Sequence, residues 1–512
     1  MLTLYRSNRA DLLAQVLAAN LRLQPPDPFT QIQVVVNTWP TSRWLGEQLA
    51  LHLGDPEHPG GGVAANLRFP FPASRLRELV DQLLEADPHP ATPQTPDPWR
   101  AQNLVWPVLE LLPELLNQPS AGPLRHWLER RQASRQQLDA PLWQLGRAIA
   151  DAIDDYSLYR PQLLEAWLAG RDQDANGRPL SEALCWQPLL LRALAARLPQ
   201  RPFGLRARQA ITQLQQQPPA TPHPRLAGAQ PLRLFGLSSL APIQVELLQA
   251  LSGALEVELY LLTPCRDLWQ RRDAAALHSA PLGHDWLLTV PSLEARFGRL
   301  GAEFQQLLEG SGDTQLGEWR EGDAFLLPAS IAAAGGPEGN PAPRPATLLE
   351  QLQERLASGA SPQEAPLQRQ EHDHSLEFHA CPGRLRQLQI VRDRLLQLLA
   401  ADDNLEPRDI LVMTPQVEAF APLVAAVFGD SAATGVTLPW RLTDRSQQSE
   451  AGIAQSLLAL LKLAGERLTA SALEAVLGCA PLLEQQGIDP AEAGELTALL
   501  QRAGFRWGLE GH

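Results

Sequence analysis

A chain of 512 residues, 44% hydrophobic and 20% charged, has the composition of a folded protein of more than one domain, and no window in it approaches eighteen consecutive apolar residues, which excludes a helical membrane span. A formal net charge of −14 excludes coating of duplex DNA by bulk attraction, so a nucleic-acid site has to be a local patch. Of the 43 Lys and Arg residues one is lysine, Lys462, inside the leucine-rich stretch Leu457–Leu463. A G-x-x-x-x-G-K-[ST] phosphate loop and a lysine-dependent nuclease site are therefore both excluded.

Leu2–Arg6 reads as a first strand, and Asp11–Leu23 as an amphipathic helix with Leu12, Leu13, Val16, Leu17 and Leu21 inward. Their connection, Ser7-Asn8-Arg9, has no glycine to let the backbone wrap a phosphate. Val34, Val35 and Val36 form a β-branched run suited to a central strand of a parallel sheet, buried on both faces. Thr38 is placed to cap the next helix, whose apolar stripe runs through Trp44, Leu45, Leu49 and Leu53.

Ligands of open α/β sheets bind beyond the carboxyl ends of the strands, so Asn37, Trp39 and Arg43 stand where a ligand is met. An amide, an indole and a guanidinium suit single-stranded nucleic acid; the plainer alternative is a capped junction with Trp39 covering the sheet edge. Asp55–Gly62 is a loop by its Pro and Gly content. Val63–Phe69 then runs into Phe-Pro-Phe-Pro-Ala-Ser, where Pro70 and Pro72 hold Phe71 at an exposed bend, as a small local core or a stacking platform. The helix that follows turns Leu76, Leu79, Val80, Leu83 and Leu84 inward.

From Trp99 to Leu214 the pattern is almost wholly helical, with helices expected near 99–116, 122–131, 134–158, 161–169, 181–198 and 204–216. Such a block between strands is a helical insertion, at about 90–225, into an α/β domain. In the third helix Leu145, Ile149, Ala152, Ile153 and Tyr156 share one face, leaving Asp151, Asp154 and Asp155 on the other. Three aspartates in the last two turns oppose the helix dipole at a cost of about 0.3–1 kcal/mol each, which hints at a task; the alternative is a solvated face helped by Arg147. Between Glu182 and Glu246 there is no carboxylate, while Arg192, Arg197, Arg201, Arg206, Arg208, Arg225 and Arg233 fall in that gap. That segregation reads as a polyanion-facing patch or as a solvated helix face with a Pro-rich loop.

Leu232–Leu237 is a further strand, ending in Phe235-Gly236-Leu237 without the magnesium-holding acid of a Walker B strand, followed by a turn at Ser238 and Ser239 and a helix from Pro242. Val257–Leu262 is another strand, Asp267–Thr289 looks loop-rich, and a helix near 292–309 closes the region. Gly310–Asn340 is a linker by composition. Leu376–Cys381 and Asp409–Met413 read as strands around a helix at Gly383–Ala401, with Gln416–Phe428 a helix beyond them. This predicts a right-handed βαβ unit. The expected organisation is a first α/β domain over 1–330, a linker over 331–370, and the start of a second, incomplete α/β domain over 371–512.

His372, Asp373, His374 and His379 invite a metal reading, but strand alternation puts His379 on the opposite face from His372 and His374, so no metal site is assigned. Cys185, Cys265, Cys381 and Cys479 are scattered without a C-x-x-C pair, and the amino terminus lacks a secretory h-region, so reduced thiols in the cytoplasm are expected. Arg506-Trp507-Gly508-Leu509 has no capping element and reads as a cut rather than an end.

The strings LYRSNRADLL, VAANLRFPFPAS, YRPQLLEAW, FGLSSLAP, LLTPCRDLW and PRDILVMTP, in this order, resemble the gamma-chain (RecC) family of bacterial exodeoxyribonuclease V, the RecBCD helicase-nuclease. The resemblance runs from Leu2 to about Leu509 and covers about the amino-terminal half of the family. It implies a degenerate superfamily 1 helicase-like fold without ATPase motifs, in a subunit that splits duplex, feeds strands to RecB-like and RecD-like subunits and scans the 3′-ended strand for Chi. ATP and magnesium are then expected only in the partner subunits. Of the family's Chi-contacting positions Asp151, Asp154, Arg160 and Arg206 match by residue type, whereas Asn37, Trp39, Arg43, Phe71 and Arg77 occupy aligned positions where better known members carry other residues. The competing expectations are an autonomous ATP-dependent helicase or nuclease, which the lysine count opposes, and a helical protein-interaction scaffold without a nucleic-acid site.

Overall fold

The computed structural model describes residues 1–54 (except 26 and 28), 62–84, 96–131, 138–216, 223–265 (except 227), 297–309, 319–334, 343–360, 363–443 (except 431 and 433), 453–465 and 468–506. The expected loops at 55–62 and 267–289 and the terminal Trp507–Leu509 lie almost wholly outside these residues. The chain divides into two compact units, Met1–Leu376 and Glu377–His512.

The first unit is built on a six-stranded sheet, parallel throughout. Its strands are β1 (Leu2–Ser7), β2 (Ile32–Val35), β3 (Leu67–Arg68), β4 (Leu232–Phe235), β5 (Val257–Leu262) and β6 (Trp319–Asp323), in the order β3-β2-β4-β5-β1-β6. Because side chains alternate along a strand, Leu2, Leu4, Val35, Leu234, Val257 and Leu259 enter one core while Val34, Val36, Phe235 and Tyr260 enter the other. Helices α1 (Ala10–Leu23) and α2 (Trp39–His52) cover the second face. The first is covered by α3 (Pro72–Leu84), α9 (Phe203–Gln215), α10 (Pro242–Ser252) and α11 (Arg299–Glu309). This is an α/β fold with both sheet faces buried, as the uninterrupted valine run requires.

The insertion carries α4 (Ala101–Leu116), α5 (Gly122–Glu129), α6 (Ala140–Tyr159), α7 (Pro161–Leu168) and α8 (Trp186–Arg197), and returns to the sheet through α9. It has its own core, from Trp99 to Leu205. Helix α9 belongs to both layers, giving Leu205 to the insertion and Phe203, Ala207, Ala210, Ile211 and Leu214 to the sheet.

Residues 310–340 do not form a simple linker: β6 pairs with β1, and Pro328–Ala334 is a helix. β6 is polar because its acids serve the buried Arg6, which meets Glu321 at 3.0 Å and Asp323 at 3.0 Å. Gly322 lies under the Tyr5 ring, where a Cβ would clash.

In the second unit α14 (Arg384–Ala401) packs on α15 (Val417–Phe428), α12 and α13 being Pro328–Ala334 and Leu348–Ser358 in the first. The two strands expected around α14, Leu376–Cys381 and Asp409–Met413, are not formed among the described residues, and Asp409 closes a 3-10 turn instead. Phe378, Leu411 and Met413 accordingly stand 90%, 81% and 84% exposed. A crossover helix joins strands that are often not neighbours, and each needs a paired backbone to register as a strand. Residues 453–502 contain four helices, with no strand among the described residues.

Gly204 lets α9 touch α6. Its N–H donates to Ser157 Oγ at 2.8 Å, and a Cβ there would fall on the Ser157 carbonyl oxygen. Gly204→Ala is expected to destabilise the chain by about 1–3 kcal/mol through forced separation of the two helices. Urea denaturation checks this, and an unchanged midpoint contradicts the close packing.

Candidate nucleic-acid interface

The carboxyl edge of the sheet is assembled by backbone geometry. Val36 N–H donates to the Pro70 carbonyl at 3.1 Å, one step past the β2–β3 ladder, and so brings the Phe71 bend beside the start of α2. Thr38 caps that helix, its Oγ accepting from Thr41 N–H at 3.2 Å. The result is an edge-to-face pair, Trp39 and Phe71, with ring centroids 6.1 Å apart. Trp39 is 73% exposed and Phe71 39%, so the rings cover little of the core and present aromatic surface to solvent. Asn37 and Arg43 are exposed on the same edge.

Arg77, Asp154 and Arg206 lie elsewhere, in a knot of charges at the root of the insertion. Arg206 is 8% exposed, ion-paired to Asp81 and, at 2.6 Å, to Asp97, while its Nε donates to the Arg201 carbonyl at 3.1 Å. Arg77 sits 3.3 Å from Asp97 and 3.9 Å from Asp154, with its guanidinium 5.0 Å from the Phe203 ring centre. Asp154 accepts from Ala101 N–H at 3.0 Å, at the first turn of α4. Burial raises the Asp154 carboxyl above its ordinary pKa, opposed by the Ala101 hydrogen bond and Arg77, and burial lowers Arg77 with the help of nearby Arg100.

Sequence reasoning missed Asp81 and Asp97, which bind this knot. Asp97-Pro98 carried the only cue, an acid-proline turn signal; here Asp97 also accepts from Trp99 N–H at 2.9 Å. Helix α3 links the two places. Phe71 precedes it and Arg77 follows six residues later, about 9 Å along the axis.

The remaining predicted residues are at the end of α6. Asp151 pairs with Arg147 at 3.1 Å, one turn back, and both are about half exposed. Arg160 is exposed, its guanidinium 5.7 Å from the Tyr156 ring centre.

The carboxylate-free stretch does not make a basic patch. Five of its seven arginines pair with acids from outside it: Arg206 as above, Arg192 with Asp172 at 2.7 Å, Arg197 with Glu110 at 3.5 Å, Arg208 with Glu165 at 3.4 Å and Arg233 with Glu258 at 3.1 Å. Arg225 donates to the Leu83 carbonyl. The segregation in sequence is complementation in space.

Beyond the carboxyl end of β1, the place of a phosphate loop is filled. Asn8 donates to the Leu326 carbonyl at 2.8 Å and accepts from Leu326 N–H at 2.9 Å, and Ser7 Oγ donates to the Ala324 carbonyl at 2.6 Å. No group of three or more His, Cys, Asp and Glu able to hold a metal occurs among the described residues.

Residues 2–358 match the family model for the RecC N-terminal domain, and residues 450–512 match that for the fourth domain of the RecBCD enzyme subunit RecC. The chain belongs to the RecC family. It is 31% identical over 525 residues to the RecBCD enzyme subunit RecC of Mycobacterium tuberculosis H37Rv, 32% over 543 to that of Mycolicibacterium smegmatis, and 28% over 547 to that of Escherichia coli K12. These matches cover 99–100% of this chain and 43–45% of the relatives, so the chain spans less than half of their length.

For a RecC-family chain the charge knot fixes where the insertion stands on the sheet domain. Asp97→Ala is expected to cost about 1.5–3 kcal/mol in unfolding free energy, because it removes the carboxylate shared by two buried guanidinium groups and leaves Arg206 to Asp81 and Arg77 to Asp154. Chemical denaturation reads the loss, and a change under about 1 kcal/mol contradicts it.

Proposed function

We propose that this chain is a non-catalytic DNA-binding subunit of a RecBCD-like helicase-nuclease acting in double-strand break repair and recombination. In this reading it assembles in the cytoplasm with RecB-like and RecD-like subunits, splits duplex, channels single strands and scans the 3′-ended strand for a Chi-like sequence. The supporting observation is the solvent-facing Trp39–Phe71 pair at the carboxyl edge of the sheet. Exposed rings there cost hydrophobic free energy unless a flat partner stacks on them, and nucleobases are such partners. Arg43 and Arg160 supply charge to a strand lying along this edge and the end of α6, while Asp151 is suited to accept from exocyclic amines of bases rather than to meet phosphates.

Arg77, Asp154 and Arg206 take a different part in this proposal from Asn37, Trp39, Arg43 and Phe71. Committed to one another, they hold the insertion and position the DNA-facing edge. The scaffold alternative leaned on the carboxylate-free stretch meeting an acidic protein, and the internal pairing of those arginines removes its motive.

ATP and magnesium belong, in this reading, to the partner subunits. Because Asn8 and Ser7 are already bonded to the 324–326 backbone, magnesium-ATP is expected to leave the melting temperature of the chain unchanged, and a rise of several degrees overturns that assignment. Salt-dependent binding of a labelled single-stranded oligonucleotide is expected of the native chain. Trp39→Ala and Phe71→Ala should each weaken it by roughly 5- to 150-fold, the span of one lost base stack, with little change in salt slope. Binding that ignores both substitutions refutes the stacking edge.

A further inference from the structure

Helices α4 and α6 of the insertion meet where Leu109 lies over Gly146, and a Cβ on that glycine would fall 2.6 Å from Leu109 Cδ2. Beside this close approach Trp106 of α4 and Trp143 of α6 form a tilted ring pair, with centroids 5.2 Å apart and 56° between the planes. Trp106 is 55% exposed and Trp143 half-buried. At four-residue spacing the exposed column of α4 reads Gln102, Trp106, Glu110 and Glu114. A solvated helix face is ordinarily polar, so two adjoining indoles there make an apolar patch of the kind that partners cover. Its surroundings on α4 are acidic, since that helix contains two glutamates and no Lys, Arg or His. Glu110 is 72% exposed and reaches Arg197 only at 3.5 Å, and Glu114 has no ion pair among the described residues.

We propose that Trp106, Trp143, Glu110 and Glu114 form a docking face for a partner protein, which presents to it a helix carrying apolar residues and arginines. Charge complementarity selects this occupant. Glu110 and Glu114 stand one and two turns beyond Trp106, about 6 and 12 Å along the axis, and cations one turn apart on a facing helix match that spacing. Arginine suits both halves of the face, because its guanidinium stacks on an indole and pairs with a carboxylate through the same planar group. Tryptophan and arginine are also the residues that carry most energy at the centres of protein interfaces. A nucleic-acid strand fits less well, since the two glutamates repel its phosphates. This face lies in the insertion, away in sequence from the Trp39–Phe71 edge, and does not depend on the nucleic-acid reading of that edge.

The test titrates the native chain with three labelled probes: a helical peptide with leucines on one face flanked by arginines, the same peptide with every arginine replaced by glutamine, and oligo-dT. The arginine peptide should bind roughly tenfold or more tighter than the glutamine peptide. Trp106→Ala, at an exposed position, should weaken the arginine peptide by roughly tenfold or more, and Trp106→Phe, which keeps a ring, by less. The double variant Glu110→Gln, Glu114→Gln should weaken it by roughly fivefold and flatten its salt dependence. If Trp106→Ala binds the arginine peptide as the native chain does, the peptide is held by the net negative charge alone and the docking face is wrong. Unchanged affinity in the double variant overturns the charge match, as does a native chain that binds both peptides alike or neither. If Trp106→Ala weakens oligo-dT and spares the peptide, the face is a nucleic-acid surface and the proposal falls.

Discussion

Charge balance at the root of the helical insertion is the constraint on which the rest of the first unit depends. Three guanidinium groups, Arg77, Arg100 and Arg206, approach three carboxylates, Asp81, Asp97 and Asp154, drawn from α3, the 96–100 segment, α6 and α9. Arg206 and Asp97 are each about 10% exposed, and each compensates the other's buried charge. Burial raises Asp154, opposed by the Ala101 N–H and then by Arg77, and burial lowers Arg77, opposed by Asp97 and then by Asp154. The knot stabilises little by itself, since desolvation consumes much of the Coulombic gain. Its value is directional: it admits one placement of α4, α6 and α9 on α3.

That placement carries over to the sheet edge through α3. Its interior Arg77 and Asp81 are anchored in the knot, its Leu76, Leu79, Val80 and Leu83 in the sheet core, and its amino end is set by the Val36–Pro70 backbone bond. Phe71 is therefore held from both sides and can remain exposed without collapsing onto the core. A stacking surface needs such support, because a mobile ring would lose more side-chain entropy on meeting a base.

Much of this was legible in the sequence because local and global signals agreed. The valine run, the Thr38 cap and the i, i+3, i+4 stripes gave β2, α2 and α3, and six insertion helices emerged from periodicity alone. β6 was illegible for a physical reason: its Glu321 and Asp323 answer a buried Arg6 more than 300 residues away, so it has the polarity of a loop. The same blindness to long-range pairing made the arginine-rich stretch look like a polyanion surface and Asp154 and Arg206 look available to DNA. Residue type identified these positions; only tertiary structure showed that their charges were already committed.

With most of those arginines paired internally, the chain's −14 charge is not offset by a concentrated cationic face in this stretch, and the sheet edge presents aromatic rings and neutral hydrogen-bonding groups beside Arg43. Attraction by phosphate neutralisation scales with the number of cations engaged, so few engaged cations mean a weak, shallow electrostatic hold. Stacking has the opposite character, short in range, tolerant of sequence and lost as soon as the base slides off the ring. A surface of this kind favours a strand that moves past it over one that stays. In the proposed function, pauses would arise where a base edge finds matching donors and acceptors.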